Sequence, residues 1–246
     1  MKSALCSVSF RGLSTDDVIR MALAAQLDGI EWGGDVHVPP GDTKTAERVR
    51  RACADAGLDV AAYGSYLKLG ESLDGLDAVL DSAEALDVRL IRVWTTPEVE
   101  RVVDDATVAV SAAAQRDLIL GSEHHLGTSC DSAASTAALM SRVPGLRTLW
   151  QPLPGLTVDE RVASLEQLAS WLVHVHVFNW TDDYERLPLE RAEAEWRRYI
   201  AMAKAASVTY ASLEFVPDDS EESLIHEAEV LRRVLRTDAT SRSDTP

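Results

Sequence analysis

The stretch "LVHVHVFNW", Leu172 to Trp180, decides the fold. Strand side chains alternate between two faces, so Val173, Val175 and Val177 form one row and His174, His176 and Phe178 the other. The valine row suits a layer of covering helices, while the second row carries imidazoles toward an interior. Such a strand fits the wall of a barrel whose inside holds chemistry at the strand's carboxyl end. A segment of helical character over 189–206 follows it, and this pairing of short strand and longer helix recurs along the whole chain.

Working outward, the strand-like runs are "ALCSVSF" (4–10), "GIEW" (29–32), "LDVAAYGSY" (58–66), "RLIRVW" (89–94), "LILGSEHH" (118–125), "LRTLWQP" (146–152) and "TYASLEFV" (209–216). Helical segments follow them over 14–26, 43–56, 72–86, 98–115, 131–142, 158–169 and 220–235. Ser14 is placed to cap the first helix, with Asp16 and Asp17 at the positive end of its dipole, and Gly57 stops the second. Alternation of this kind predicts an α/β fold with a parallel sheet covered by helices. Eight cycles without a linker predict a closed (β/α)8 TIM barrel, a single domain over residues 1–236. An open doubly wound sheet would carry a glycine-rich phosphate loop after its first strand, and "SFRGLSTDD" has no GxGxxG. The last ten residues, "TDATSRSDTP" (237–246), have almost no apolar content and are expected to be a disordered tail.

Charge narrows the function. The 246 residues include 40 acids against 24 Lys and Arg, a formal charge of −16. That disfavours nucleic acid as a partner, since phosphate binding needs a basic surface. No run approaches a membrane span, and the amino terminus lacks a signal-peptide core, so a soluble cytoplasmic protein is expected. Three scattered cysteines, Cys6, Cys53 and Cys130, support neither a disulfide scaffold nor a zinc motif.

The polar residues fall where a barrel enzyme needs them. By parity Glu31 faces inward between Ile30 and Trp32, and Glu214 faces inward between Leu213 and Phe215. Glu123 shares a face with His125, while His124 points the other way and is expected to be a bystander. His174, deeper than His176, reads as a hydrogen-bonded structural residue. Isolated inward glutamates demand compensation, because burying a carboxylate costs several kcal/mol unless cations or donors accompany it. Glu123, Glu214 and His176 are placed to converge on one divalent ion, and such an oxygen-rich set suits Mn2+, Mg2+ or Co2+.

These motifs together resemble the xylose isomerase-like barrel superfamily, the sugar phosphate isomerase/epimerase group that also contains family-two AP endonucleases. The resemblance spans about residues 3–235. Its carriers are "GIEWGGDVHVPPGD" (29–42), "YGSYLKLG" (63–70), "IRVW" (91–94), "SEHHLGT" (122–128), "LWQP" (149–152), "VHVFNW" (175–180) with "RLPL" (186–189), and "LEFVPDDS" (213–220). It implies a metal site of Glu123, Gln151, His176 and Glu214, with Gln151 standing where an acidic ligand is usual. It also implies proton abstraction beside a carbonyl by the two glutamates, through an enediolate. Glu31, His37, Lys68, Arg92, His125 and Arg186 become candidates for holding a small sugar-like substrate, with His37 and Lys68 in loops after the second and third strands. Arg92 points into the barrel and has a second reading as the buried partner of Glu31.

The leading expectation is a metal-dependent sugar or keto-sugar isomerase or epimerase. A lyase or dehydratase using the same enolate chemistry is the alternative, and a non-catalytic ligand-binding barrel is the non-enzyme reading that Gln151 keeps open. An AP endonuclease needs many more metal ligands and a basic groove. Paired barrels are common in the family, so a homodimer is a further expectation.

Overall fold

The computed structural model describes residues 1–236, and the expected tail over 237–246 lies outside them. Eight parallel strands close into one barrel in sequence order: β1 (Lys2–Cys6), β2 (Gly29–Gly33), β3 (Asp59–Leu69), β4 (Leu90–Thr95), β5 (Ile119–Glu123), β6 (Arg147–Trp150), β7 (Leu172–Val177) and β8 (Tyr210–Leu213). The helices are α1 (Thr15–Ala24), α2 (Thr43–Asp55), α3 (Leu76–Leu86), α4 (Val99–Ala114), α5 (Ala133–Arg142), α6 (Val158–Leu168), α7 (Glu193–Ala205) and α8 (Glu221–Arg236). This is a single-domain (β/α)8 TIM barrel, and among the described residues no helix is long and apolar enough to cross a membrane.

Local chemistry explains the boundaries. Ser14 accepts a hydrogen bond from the Asp17 backbone N–H at 3.2 Å, so the cap read from the sequence forms. Thr157 and Glu160 form a reciprocal capping box at the start of α6. The core lies between sheet and helices. Trp150 on β6 packs edge-on to Trp196 of α7 at 6.2 Å and against Tyr199 at 5.3 Å. Trp32, Leu5, Ile30 and Leu80 are fully buried, and each such aliphatic side chain contributes about 1.5–3 kcal/mol by leaving water.

Two register shifts correct the sequence reading. Thr148 pairs with Leu172 but Leu149 pairs with His174, so Val173 is an extra residue in β7. Val173 therefore lines a cavity at the barrel's amino-terminal end together with His174, rather than continuing the row of Val175 and Val177. Similarly, β3 runs on to Leu69 with a shift between Gly64 and Lys68, which places Lys68 within the strand and not in the loop beyond it.

Candidate active site

Inside the barrel, Glu31, Arg92, Glu123, His176 and Glu214 form one buried network. Glu31 is wholly enclosed. Its Oε1 accepts from Arg92 Nε at 2.9 Å, and its Oε2 lies 3.0 Å from His176 Nε2 and 3.3 Å from His174 Nε2. Arg92 Nη1 donates to Glu123 Oε2 at 2.6 Å, so one guanidinium ties β2 and β5 together. Gly64 makes room for it, because a Cβ there would stand 2.6 Å from Arg92 Nη2. Arg92 thus has the inward, Glu31-paired position that parity allowed, and it spends two of its three nitrogens on carboxylates.

The other edge of His176 faces the mouth. Its Nδ1 lies 3.2 Å from Glu214 Oε2 and 3.8 Å from Glu123 Oε1, yet it makes no hydrogen bond. One ligand atom from each of Glu123, His176 and Glu214 falls within 4.8 Å of the others. Gln151, also buried, follows Trp150 at the end of β6, whose register partner Val175 precedes His176. Burial works against the charge of His176, but Glu214 and Glu31 outweigh it and hold the imidazolium well above the ordinary histidine range. Burial likewise opposes ionisation of Glu31, and the cations at His176 and Arg92, with the His174 contact, outweigh it and keep the carboxyl well below its usual range. The position between the two carboxylates calls for a cation.

The remaining sequence candidates separate. His125 lines a narrow space at the mouth with Gln151, Phe178, Trp180 and Tyr184, and packs on Trp94 at 4.7 Å. His37 is committed to structure: Nδ1 meets Ser7 Oγ at 3.0 Å and Nε2 the Leu13 carbonyl at 3.2 Å. Lys68 is exposed and lies 3.6 Å from Glu71. Arg186 sits at the rim, donating to Asp219 at 2.6 Å and covering the Phe215 ring at 5.0 Å. His124 faces outward as expected but is buried, with Nδ1 at 2.8 Å from the Cys130 carbonyl. His174 makes the expected structural contact, Nε2 at 2.7 Å from Ser212 Oγ.

Sequence reading missed several mouth residues. Cys6 is buried with Sγ 4.0 Å from Glu214 Oε1, a position that parity along β1 reveals. Phe215 does not face out, since its φ of 55° turns the chain past β8 and brings its ring 5.7 Å from Trp180. Tyr66 holds φ at 60°, stacks on Trp94 at 6.4 Å and covers the Arg92 guanidinium at 5.2 Å. Such a left-handed non-glycine residue costs on the order of 1–3 kcal/mol and persists only where its surroundings fix it. The buried indole N–H groups of Trp94 and Trp180 have no protein partner.

No family model matches this sequence, and no curated protein matches it. Solved structures do. The chain superposes on the probable 3-DHS dehydratase AsbF of Bacillus anthracis, involved in petrobactin synthesis, with a TM-score of 0.81 and 23% identity over 94% of this chain and 99% of that one. It is similar to D-psicose 3-epimerase from Clostridium cellulolyticum (TM-score 0.75, 14% identity, 96% and 100% covered). It is also similar to the 3-keto-D-glucoside 4-epimerase YcjR of E. coli (TM-score 0.73, 15% identity, 95% and 99% covered). Together with matches to xylose isomerase domain proteins, these likenesses give the chain the fold of the xylose isomerase-like TIM barrels.

Proposed function

We propose that this protein is an enzyme that forms an enolate on a small polyhydroxylated carbonyl compound, as an isomerase or epimerase of sugars or keto-sugars, and that it uses a divalent ion. The observation that carries this reading is the convergence of Glu123 and Glu214 on an imidazole nitrogen without a hydrogen-bond partner. These donors fit a hard dication: Glu123, Glu214 and the Gln151 amide offer oxygens, and His176 offers Nδ1 while Glu31 holds its other nitrogen. Bound there, Mn2+, Mg2+ or Co2+ would supply Lewis-acid stabilisation of the charge that builds on the substrate's carbonyl oxygen.

The chain's own residues divide the remaining work. Glu214 has no arginine partner among the described residues, so it is the carboxylate free to take a proton from the carbon beside the carbonyl. Glu123 Oε2 is occupied by Arg92, which leaves Oε1 to face the site. Trp94 with His125, and Trp180 with Phe178, set aromatic faces around the mouth that exclude water from it.

The Arg92–Glu123 pair also favours a second reading. One of the two Glu123 oxygens is committed to Arg92 Nη1, which leaves Glu123 a single oxygen for both the site and any proton transfer. One base is enough for elimination of water, and the likeness to a probable dehydratase supports the same reading. Incubation with a panel of keto-sugars and hydroxylated cyclic ketones in heavy water tests both. Deuterium entering beside the carbonyl without loss of water supports the isomerase or epimerase, and loss of water supports the dehydratase. Either activity should vanish in Glu214→Gln. Neither activity across the panel, with or without added Mn2+, would favour a ligand-binding barrel.

A further inference from the structure

The rim of the barrel holds a second space beside the mouth. A cavity of about 520 Å³ opens between the loop after β1, helix α1, and the loops that follow β7 and β8. This volume falls within the ordinary range for small-molecule sites. Two contacts join it to the mouth. Arg11 in its wall donates to Tyr66 Oη at 2.6 Å, and the Tyr66 ring covers Arg92. Phe215, the residue after Glu214, also lines the cavity, and its ring stands 5.7 Å from Trp180, which lines the narrow space beside Gln151.

The polar wall of this cavity is an array of ion pairs. Arg186 Nη1 donates to Asp219 Oδ1 at 2.6 Å and to the Val216 carbonyl at 3.2 Å, and Arg20 Nη1 donates to Glu221 Oε2 at 2.8 Å. Arg11 is paired with Asp35. Every cation therefore has a carboxylate partner, and the array calls for neither a free anion nor a free cation. The five charged side chains that line the cavity nevertheless keep 31–58% of their surface exposed, so their remaining donors and acceptors can be reached. A guanidinium has five N–H groups and a carboxylate about four acceptor sites, and each pair uses only part of them. Donor and acceptor thus stand side by side, held at fixed spacing by the pair itself. Hydroxyl groups, which donate and accept at once, match such a surface. Val8, Phe10 and Met21, almost fully buried, add an apolar surface for the C–H face of a ring.

We propose that this rim cavity binds a neutral polyhydroxylated ring, and that it holds the second ring of a substrate built as a disaccharide or other glycoside rather than as a free monosaccharide. The assignment of that ring to a substrate rests on the enolate reading of the mouth, whereas the binding of the ring does not. Isothermal titration of the full chain in EDTA reads binding without turnover. Maltose, cellobiose and lactose are each compared with glucose and galactose. At least one disaccharide should bind about tenfold more tightly than either monosaccharide, the equivalent of one further hydrogen bond. A Cβ at Gly12 meets nothing within 4 Å, so Gly12→Phe fills the cavity without strain and should cancel that advantage. Arg186→Met removes donors while keeping a stem over Phe215, and it should reduce the advantage even if the first variant does not fold. No saturable binding, equal binding of both sugar sizes, or an advantage that survives a folded Gly12→Phe or Arg186→Met would overturn the proposal. Glucose 6-phosphate binding more tightly than every disaccharide would also overturn it and give the arginines to an anion. Disaccharide binding at the rim without proton exchange or water loss at the mouth would instead sink the enolate reading and leave the cavity assigned.

Discussion

Glu31 Oε2 stands 3.0 Å from His176 Nε2, and that contact decides which edge of the imidazole faces the mouth. With Nε2 turned to Glu31, only Nδ1 remains for Glu123, Glu214 or an ion. A carboxylate behind a histidine fixes its orientation and raises its basicity as a ligand. Glu31→Gln should therefore weaken Mn2+ binding by about 10–100-fold while leaving every direct donor in place. Isothermal titration with Mn2+ measures this. Unchanged affinity would show that Glu31 serves only to neutralise Arg92.

Arg92 is the next member of that network, and its loss should be felt in stability. It is buried with two carboxylates, donating to Glu123 at 2.6 Å and to Glu31 at 2.9 Å. Removing one partner of a buried ion pair costs about 3–5 kcal/mol, because it strands the others without compensation. Arg92→Leu should lower the urea midpoint accordingly. Adding Glu123→Gln to that variant should restore about 1 kcal/mol or more, since the two residues are coupled. Strict additivity of the two changes would show that the pair carries no net interaction.

How much of this site was legible in the sequence depends on how local the rule was. Alternation within one strand placed Glu31, Glu123, His176 and Glu214 inside the barrel. Capping chemistry located the start of α1. What escaped depends on the register between strands, which no single segment encodes. The extra residue at Val173 is set by β6 against β7, and the length of β3 beyond Tyr66 is set by its pairing with β4. Arg92 could be read as inward, but its bridge from Glu31 to Glu123 needs three strands at once. Phe215 changed side because the chain turns through a left-handed residue where alternation no longer applies.

His124 gives the fold a pH dependence of its own. Burial, partly offset by its bond to the Cys130 carbonyl, pushes its pKa down to about 4, and its Nε2 is buried without a partner. The unfolded chain takes up a proton near the ordinary value of 6.5, whereas the folded chain resists until about 4. Between those values the unfolded state binds more protons, so stability falls as pH drops through the window and levels off below it. The loss between pH 7 and pH 5 should be about 2 kcal/mol from this residue alone. His124→Asn keeps a donor toward Cys130 and should remove that share of the pH dependence. The measurement is the difference in urea stability between the two proteins at each pH, which cancels the titration of shared groups. Identical pH profiles would mean that His124 is accessible enough to protonate in the folded chain.

Gln151 is where the charge of the site is set. It is buried at the end of β6, beside the turn of the sheet that carries His176. As an amide it offers an oxygen without charge, so two glutamates alone balance a dication. Gln151→Asp adds a fourth carboxylate to a network whose Glu31, Glu123 and Glu214 have Arg92 and His176 as their cations. Without metal, the extra buried charge should lower the melting temperature, because desolvation of a carboxylate is compensated only by cations or donors. With metal, affinity should rise about tenfold or more, since ligand charge is what tunes binding of hard cations by oxygen ligands. The two effects add in one observable, the difference in melting temperature between Mn2+ and EDTA, which should widen in the variant. A narrowed or unchanged difference would remove Gln151 from the ligand set and leave the ion to Glu123, His176 and Glu214.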